Sequence, residues 1–469
     1  MIRKPSFTEA MTPLIAMILL LGLGYGYLRL PTQALLIMAA AVSALVAWRL
    51  GLTWQQMFEG ISERFLSSLT SMFVMICVGG LIASWMISGT IPLMIYYGVK
   101  IINPQYLFVT AFLVTAVIST FTGTSFGSAG TAGVAIMGVA FALGLPLEIA
   151  AGAVISGAVF GDKLSPLSDT TILAPIAAGA DLYDHIKHLL YTTGAATILC
   201  LIVFTVVGMR IPANDMANPQ TVHAVLNNLE ALYNLTPILL IPPAIVFWGA
   251  YVKKPTIPIL LLSSLVALLL GVIFQDFTLK TAVTAFVNGF NVNMIPLVAA
   301  KKIAVVKEIA TLLNRGGMMG MMSTILLILC AFSFAGIFSK AGCIEVIIEK
   351  MLSSINSVGN LIASTVASTL FMSIVTGSSY LAILIPGEMF KDTYAKWNLA
   401  PKNLSRTLED AGTCAVPIVP WAIAGTYMAN TLGVPTLSYL PWAILCYSSF
   451  VFAIIFGYTG FSIAKLDKK

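Results

Sequence analysis

Charged residues are scarce in this sequence. Asp, Glu, Lys and Arg together make up 9% of its 469 residues, whereas hydrophobic residues make up 58% and the mean hydropathy is +0.95. Soluble globular chains carry about 25% charged residues, so this chain has too little polar surface to face water. Apolar runs long enough to cross a hydrocarbon core of roughly 30 Å recur along it. The composition therefore argues against a soluble globular protein and predicts an all-α polytopic membrane protein whose main partner is the lipid bilayer.

Several motifs are also missing. The six cysteines lie in or beside apolar segments and form no CxxC pair, which argues against a disulfide framework or a zinc site. No Walker A sequence occurs, so ATP-driven transport has no support. We therefore expect no enzyme activity and no cofactor. The net charge of +6 is modest and requires no nucleic-acid partner.

Eight apolar runs are candidate membrane spans. The first has basic residues before it but no small-residue cleavage site, so we interpret it as a span rather than a signal peptide. In residues 103–180 and 357–432, Gly, Pro, Ser and Thr interrupt the apolar segments. The candidate spans are 11–28, 33–50, 65–87, 186–209, 237–252, 257–274, 319–338 and 437–460.

Matching landmarks recur about 253 residues apart. Cys77 pairs with Cys330 at a separation of 253, and "TGTSF" from Thr122 pairs with "TGSSY" from Thr376 at a separation of 254. We predict a first transmembrane repeat at 1–210, a polar linker at 211–234 and a second repeat at 235–469 with an insertion at about 280–317. The alternative is two unrelated runs of helices.

The repeat also predicts the architecture. Each half would contribute five crossings and one interrupted segment, and an odd number of crossings inverts the second copy. This pattern is typical of an inverted-repeat secondary transporter with about ten crossing helices and two re-entrant hairpins with interrupted helices. In this arrangement, sixteen Lys and Arg residues fall on the side of the two termini and eight on the opposite side. The bias predicts that both termini are cytoplasmic.

The two matching stretches predict hairpin tips. Irregular backbone at membrane depth persists only where it lines a cavity or is buried in protein. Its carbonyls and hydroxyls are hard oxygen donors that suit a small cation. The alternative is a small-residue packing face. The candidate residues are Thr122, Gly123, Thr124 and Ser125 in the first half and Thr376, Gly377, Ser378 and Ser379 in the second.

Two carboxylates and a lysine cluster in "GDKLSPLSDTTILAP", residues 161–175. Gly161 and Pro166 disfavour a continuous helix, and ionisable residues inside a membrane indicate function. Lys163 would either offset the charge of Asp162 or pair with a more distant carboxylate. Asp169 would either bind a cation or only cap the next helix. The candidate binding residues of this stretch are Asp162, Lys163, Ser165, Ser168, Asp169 and Thr170.

The second half has a corresponding break without adjacent carboxylates. Pro417 or Pro420 would interrupt the helix, and Glu409 and Asp410 stand about two turns earlier. Any formal charge of this half must therefore come from Asp410, unless Asp410 belongs to a surface helix start. The candidate residues here are Asp410, Thr413 and Pro417. For Na⁺ itself, we expect ligands from Asp162, Asp169, Thr124 and Ser378.

At these residues the sequence resembles the NhaC-type sodium/proton antiporter family. The resemblance rests on "TGTSFGSAGTAGVA" and "GDKLSPLSDTTILAP" and is weaker elsewhere. It implies cation coupling at Asp162, Asp169 and the 122–125 tip, and a homodimer. The family also includes transporters that exchange malate or lactate with sodium and protons.

These features lead to one expected function and two alternatives. We expect a secondary active Na⁺/H⁺ antiporter of the bacterial cytoplasmic membrane, in which sodium and a proton compete for buried carboxylates. The first alternative is a Na⁺- or H⁺-coupled transporter of a small organic acid or amino acid, with Lys163 and the hydroxyl-rich tips forming the anion pocket. A channel or receptor is a third class, which the paired interrupted segments disfavour.

Overall fold

The computed structural model describes residues 3–212 and 219–466. Within these ranges the chain is helical, and the strand pairing is limited to an isolated bridge between Leu399 and Lys465. Among the described residues, nine helices are long and apolar enough to cross a membrane, or up to eleven if each of two bent pairs counts as one span. The prediction of an all-α polytopic membrane protein is confirmed.

Ten α-helices occupy the first 212 residues. A π-helical stretch at Leu20–Tyr27 continues the first helix, and another at Ala129–Gly133 joins the sixth to the seventh. The helices are α1 Phe7–Leu19, α2 Thr32–Arg49, α3 Trp54–Ser88, α4 Thr90–Ile101, α5 Leu107–Thr122, α6 Ser125–Ser128, α7 Val134–Ala142, α8 Leu147–Leu164, α9 Asp169–Ala178 and α10 Leu182–Arg210.

Fourteen further α-helices follow between residues 219 and 466. Short 3₁₀ turns connect several of them, including Val416–Ile418 after α21 and Leu440–Trp442 before α24. The helices are α11 Pro219–Leu232, α12 Ile241–Tyr251, α13 Thr256–Phe274, α14 Leu279–Asn288, α15 Pro296–Ala299, α16 Lys307–Leu313, α17 Met322–Lys340, α18 Cys343–Leu352, α19 Val358–Thr376, α20 Ser379–Lys396, α21 Pro401–Ala415, α22 Ile423–Leu432, α23 Thr436–Tyr439 and α24 Ile444–Thr459.

Two helical hairpins turn at glycines. Gly123 follows α5 with φ 66°, and Gly377 follows α19 with φ 62°, a left-handed conformation that side chains disfavour. A Cβ on Gly123 would lie 2.8 Å from the Leu167 carbonyl carbon, and one on Gly377 would lie 3.1 Å from Ala422 Cα. Each tip therefore packs directly against a helix interruption, the first at α8–α9 and the second at α21–α22.

The last predicted span differs from the structure. Instead of one helix over 437–460, the chain forms α23 and a 3₁₀ turn that meet α24 at an angle of 55°. Pro441 is the physical reason, since it lacks the N–H that a continuous helix requires.

Part of the predicted linker, 213–218, lies outside the described residues, and α11 covers most of the remainder.

The interrupted helices occupy the interior. Every residue from Asn403 to Ala415 of α21 is buried, although this segment has a polar sequence. It packs against α8, α9, α10, α19, α20 and α24. On the first-half side, α5 packs along α8, where Gly157 and Gly161 allow close backbone approach. Both interruptions are thereby held next to the hairpin tips inside the protein.

Candidate functional site

Asp162 joins the first hairpin tip to the first helix interruption. One carboxylate oxygen, Oδ2, accepts hydrogen bonds from the Ser125 N–H at 3.1 Å and the Ser125 hydroxyl at 2.6 Å. The other, Oδ1, accepts one from the Ser168 hydroxyl at 2.7 Å. Within the ranges that the structure describes, Asp162 forms no ion pair. Its hydrogen-bonding neighbours are thus neutral groups.

Lys163 pairs with a distant carboxylate. It still belongs to α8, so its side chain leaves the helix in a different direction from that of Asp162, and its Nζ forms an ion pair with Asp410 of α21. Both side chains are 0% exposed, and the Thr192 hydroxyl also donates to Asp410 Oδ1 at 2.9 Å. Lys163 therefore pairs with a distant carboxylate rather than offsetting the charge of Asp162.

A threonine uses two of the carbonyls near the break. The Thr171 hydroxyl donates to the carbonyl oxygens of Asp162 at 2.9 Å and Lys163 at 3.0 Å. Ser165 lies in the break itself, where its hydroxyl accepts from the Leu167 N–H at 3.3 Å. Because these two carbonyls already have a donor, the carboxylate and the hydroxyls are the better candidates for cation ligands.

Asp169 does not cap α9. The N-cap position belongs to Ser168, whose backbone is extended at φ −76° and ψ 135°, and Asp169 is the first helical residue. Ser168 directs its hydroxyl to Asp162 instead of capping the helix, and the helix begins one residue earlier than the capping interpretation requires. The exposed side chain of Asp169 lines the same cavity as Tyr380 of α20.

The second hairpin repeats the geometry of the first. Thr376 ends α19, Ser378 is extended, and Ser379 begins α20. The Gly377 carbonyl accepts a hydrogen bond at 3.0 Å from the N–H of Ile423, the first residue of α22. Both candidate prolines lie within the second interruption, and the Tyr439 hydroxyl donates to the Pro417 carbonyl at 2.6 Å.

The polar residues of α21 are buried, so the alternative of a surface helix start at Asp410 is wrong. The reason is that α21 is enclosed by six other helices. Glu409 is 0% exposed and accepts a hydrogen bond from Thr413 at 2.7 Å. Its second carboxylate oxygen has no hydrogen-bond partner among the described residues, although Asp162 and Lys163 act on it electrostatically. Sequence reasoning omitted Glu409 from the site; its i, i+4 spacing from Thr413 was the available signal.

Two cavities meet at Asp162. The larger, about 330 Å³, is also lined by Thr122, Gly123, Thr124, Ser168 and Asp169 of the candidate set. The smaller, about 80 Å³, is also lined by Ser125, Ser378, Ser379, Thr413 and Pro417, and Thr170 borders both. The four expected Na⁺ ligands are therefore divided between two cavities, with Asp162 as their shared member.

Sequence reasoning missed part of this lining. Hydroxyl side chains of α3 also border the cavities. Ser67 and Ser68 line the smaller cavity, Thr70 lines the larger cavity, and Ser71 lines both. The run of hydroxyl residues within an apolar span was the signal. No Lys or Arg appears among the described residues that line either cavity, whereas Asp162 and Asp169 both line the larger one. The two cavities around Asp162 are therefore suited to a cation rather than to an anion.

Ser125 also lies in a G-x-S-x-G sequence, from Gly123 to Gly127. In hydrolases that pattern places a nucleophilic serine between a strand and a helix. Here the turn joins two helices, and the Ser125 hydroxyl donates to Asp162 rather than to a histidine. The geometry does not reproduce a nucleophile elbow.

Comparison with known proteins identifies the family. A family model described as the Na⁺/H⁺ antiporter family matches residues 98–173 and 157–461. The chain belongs to the Na⁺/H⁺ antiporter family. Together with the NhaC relative described next, this match confirms the resemblance to NhaC-type antiporters.

Relatives in this family match almost the whole chain. A Haemophilus influenzae protein named as a Na⁺/H⁺ antiporter is 49% identical over 99% of this chain and 98% of its own length. The Na⁺/H⁺ antiporter NhaC of Alkalihalophilus pseudofirmus is 38% identical over 92% and 90%. A malate-2H⁺/Na⁺-lactate antiporter of Bacillus subtilis is 33% identical over 92% and 90%. These relatives are antiporters rather than enzymes.

Proposed function

We propose that this protein exchanges Na⁺ for H⁺ across the cell membrane and that Asp162 is the group for which the two ions compete. The observation that carries the proposal is the environment of Asp162. Its carboxylate lies where the hairpin tip, the helix break and both cavities meet, and the nearest lysine in sequence is paired with Asp410 instead. The negative charge of Asp162 is therefore available to a transported cation.

Competition for one carboxylate explains the exchange. The Ser125 N–H and the Ser125 and Ser168 hydroxyls stabilise the ionised form, to which Na⁺ binds. A proton on the carboxylate removes the charge and releases Na⁺. An ionised carboxylate without a cation is costly in a low-dielectric interior. The site would therefore change its exposure readily only when it holds Na⁺ or a proton, and this requirement couples the two fluxes.

The other candidate residues surround this group in the proposal. Thr124 and Asp169 would approach Na⁺ from the larger cavity and Ser378 from the smaller. Thr122, Gly123, Thr376, Gly377 and Ser379 shape the two tips, and Ser165, Thr170, Thr413 and Pro417 shape the two interruptions. Lys163 and Asp410 hold those interruptions together as a buried pair.

The second candidate function is transport of an organic acid or amino acid. A volume of about 330 Å³ is within the range of small-molecule sites, which favours this alternative. The absence of Lys and Arg from the described lining, together with two carboxylates, disfavours an organic anion.

Purified protein in proteoliposomes tests the function. We expect a Na⁺ gradient alone to drive proton movement, with the same initial rate whether or not malate, lactate or amino acids are present. A strict requirement for an organic solute would overturn Na⁺/H⁺ exchange as the basic activity. Asp162→Asn should abolish the Na⁺-dependent signal, whereas Glu148→Gln, an exposed site on α8, serves as the matched control.

The arrangement in the membrane is also proposed. We retain the bacterial cytoplasmic membrane with both termini cytoplasmic, inverted repeats at 1–210 and 235–469, and a homodimer. The basic-residue bias, the matched glycine turns and the family resemblance support these three points respectively. Accessibility labelling of terminal tags tests the orientation, because labelling of both termini from the periplasm would contradict it. Cross-linking in native membranes tests the dimer, and a species that remains monomeric at every cross-linker dose would contradict it.

A further inference from the structure

A third cavity lies away from Asp162, beside the end of the predicted insertion. Its volume is about 300 Å³, and its polar lining includes Asn314, Arg315, Asn430 and Thr431. Arg315 follows α16, whereas Asn430 and Thr431 belong to the last turn of α22. The first residues of α22, Ile423 and Ala424, border the small cation cavity. With a rise of 1.5 Å per residue, the seven steps from Ile423 to Asn430 place the two cavities about 10 Å apart along α22.

Arg315 has no counter-ion in the part of the chain that the structure describes. No ion pair or side-chain hydrogen bond involves it within 3–212 and 219–466, and burial lowers the pKa of its guanidinium below the usual value. Arg315 is partly exposed, so its guanidinium keeps some contact with water, and an opposite charge in the cavity would still be attracted to it. The cavity beside it provides room for such a group.

Thr431 lines the same cavity and also lacks a partner. The residue is 4% exposed, and its hydroxyl has no partner of ordinary hydrogen-bond geometry among the described groups, although Tyr427 of the same helix lies close enough to interact with it. A threonine inside a helix commonly donates to the carbonyl four residues earlier. Thr426 of the same helix does so, with 2.8 Å to the Ala422 carbonyl. Arg315 and Thr431 are therefore two hydrogen-bond donors that line one cavity and lack an acceptor among the described residues.

We propose that this cavity binds a small oxyanion, a carboxylate or phosphate group held by the Arg315 guanidinium and the Thr431 hydroxyl. The planar guanidinium can donate two parallel hydrogen bonds to such a group, and the hydroxyl supplies a third. The oxyanion can come from a soluble anion or from a lipid phosphate. The site is independent of Asp162 and of the exchange reaction.

A structural role for Arg315 is the competing explanation. A Cβ on Gly433 would lie 3.8 Å from both terminal guanidinium nitrogens, so the side chain is close to the C-terminal end of α22. A cation at that end stabilises the helix through its interaction with the helix dipole, and this needs no ligand. This role predicts that loss of Arg315 destabilises the protein equally with and without anions.

Thermal unfolding of the full-length protein separates the two roles. Delipidated protein in uncharged detergent would be titrated with sodium acetate, lactate or phosphate at constant Na⁺ and ionic strength, with tryptophan fluorescence as the readout. We expect a saturable rise in the unfolding temperature. Arg315→Gln and Thr431→Val should each weaken the apparent affinity by about tenfold or more, as expected for losing a charge-assisted hydrogen bond. Arg210→Gln, an exposed arginine, is the matched control and should leave the response unchanged.

Other results of the titration would identify the source of the oxyanion or overturn the proposal. A rise with anionic phospholipid but not with soluble anions would assign the oxyanion to lipid phosphate. No rise with either source, or the same rise in Thr431→Val as in the unmodified protein, would overturn the proposal. Because the readout is binding, a negative result would leave Na⁺/H⁺ exchange unaffected. If Arg315→Gln fails to fold, Thr431→Val alone decides, since it removes the hydroxyl while conserving side-chain volume.

Discussion

Breaking the buried Lys163–Asp410 pair should destabilise the protein far more than removing both charges. Asp410→Asn keeps an acceptor for the Thr192 hydroxyl but leaves the Lys163 ammonium, which is 0% exposed, without its ion-pair partner and with only the weaker interaction with Glu409. Lys163→Met leaves the Asp410 carboxylate without an ion-pair partner, although the buried Arg406 guanidinium still acts on it electrostatically. Removing one member of a buried pair typically costs about 3–5 kcal/mol.

The double variant Lys163→Met/Asp410→Asn removes both charges together. Replacing a buried pair with neutral side chains of similar volume is often close to neutral. If each single change costs about 3–5 kcal/mol and the double change costs about 1 kcal/mol or less, the coupling energy exceeds about 5 kcal/mol.

Unfolding in mixed micelles, followed by tryptophan fluorescence, measures the four corners of this cycle. Lys4→Met, Glu349→Gln and their combination provide a matched control, because that ion pair is exposed and should show a coupling of about 1 kcal/mol or less. Additive effects at Lys163 and Asp410, each below about 1 kcal/mol, would refute the reasoning, because the pair would then be hydrated or not formed.

Three further predictions concern the site. Ser125→Ala removes the hydroxyl 2.6 Å from Asp162 and should raise the Na⁺ concentration for half-maximal exchange by about tenfold; an unchanged value would contradict the hydrogen bond. Gly377→Ala should cost about 1–2 kcal/mol of stability, because φ is 62° and Ala422 Cα is 3.1 Å away; Gly22→Ala is the control with open space. Glu409→Gln should weaken Na⁺ binding, measured by isothermal titration at alkaline pH, where the buried Glu409 is ionised, because its negative charge near Asp162 is lost; equal binding there would exclude electrostatic coupling.

The hairpin tips could be predicted from local sequence. A glycine after an apolar helix, followed by a hydroxyl residue, is a local signal for a left-handed helix end, and Gly123 and Gly377 both adopt that conformation. The break in α8–α9 likewise follows from Pro166 and the Ser and Asp residues around it. The glycine turns and the helix break depend on residues within a few positions of each other, so they can be predicted from a single sequence without an alignment.

The burial of α21 could not be predicted in this way. Its sequence, from Pro401 to Ala415, has the composition of a surface helix, and only the enclosing helices make it an interior element. The partner of Lys163 lies 247 residues away, so its choice depends on how the two halves pack. Ser168 occupies the N-cap position of α9, and its hydroxyl donates to Asp162 instead of to the helix. Local capping preferences contain no information about such a partner outside the helix.

The central claim is that Asp162 is the carboxylate for which Na⁺ and H⁺ compete. Everted membrane vesicles test it most directly, with Na⁺-induced proton movement measured for the unmodified protein, Asp162→Asn and Glu148→Gln at equal expression. The account predicts no Na⁺-dependent signal for Asp162→Asn and a normal signal for Glu148→Gln. Near-normal exchange by Asp162→Asn would contradict the account, because the hydrogen bonds from Ser125 and Ser168 would then position a group that carries neither ion.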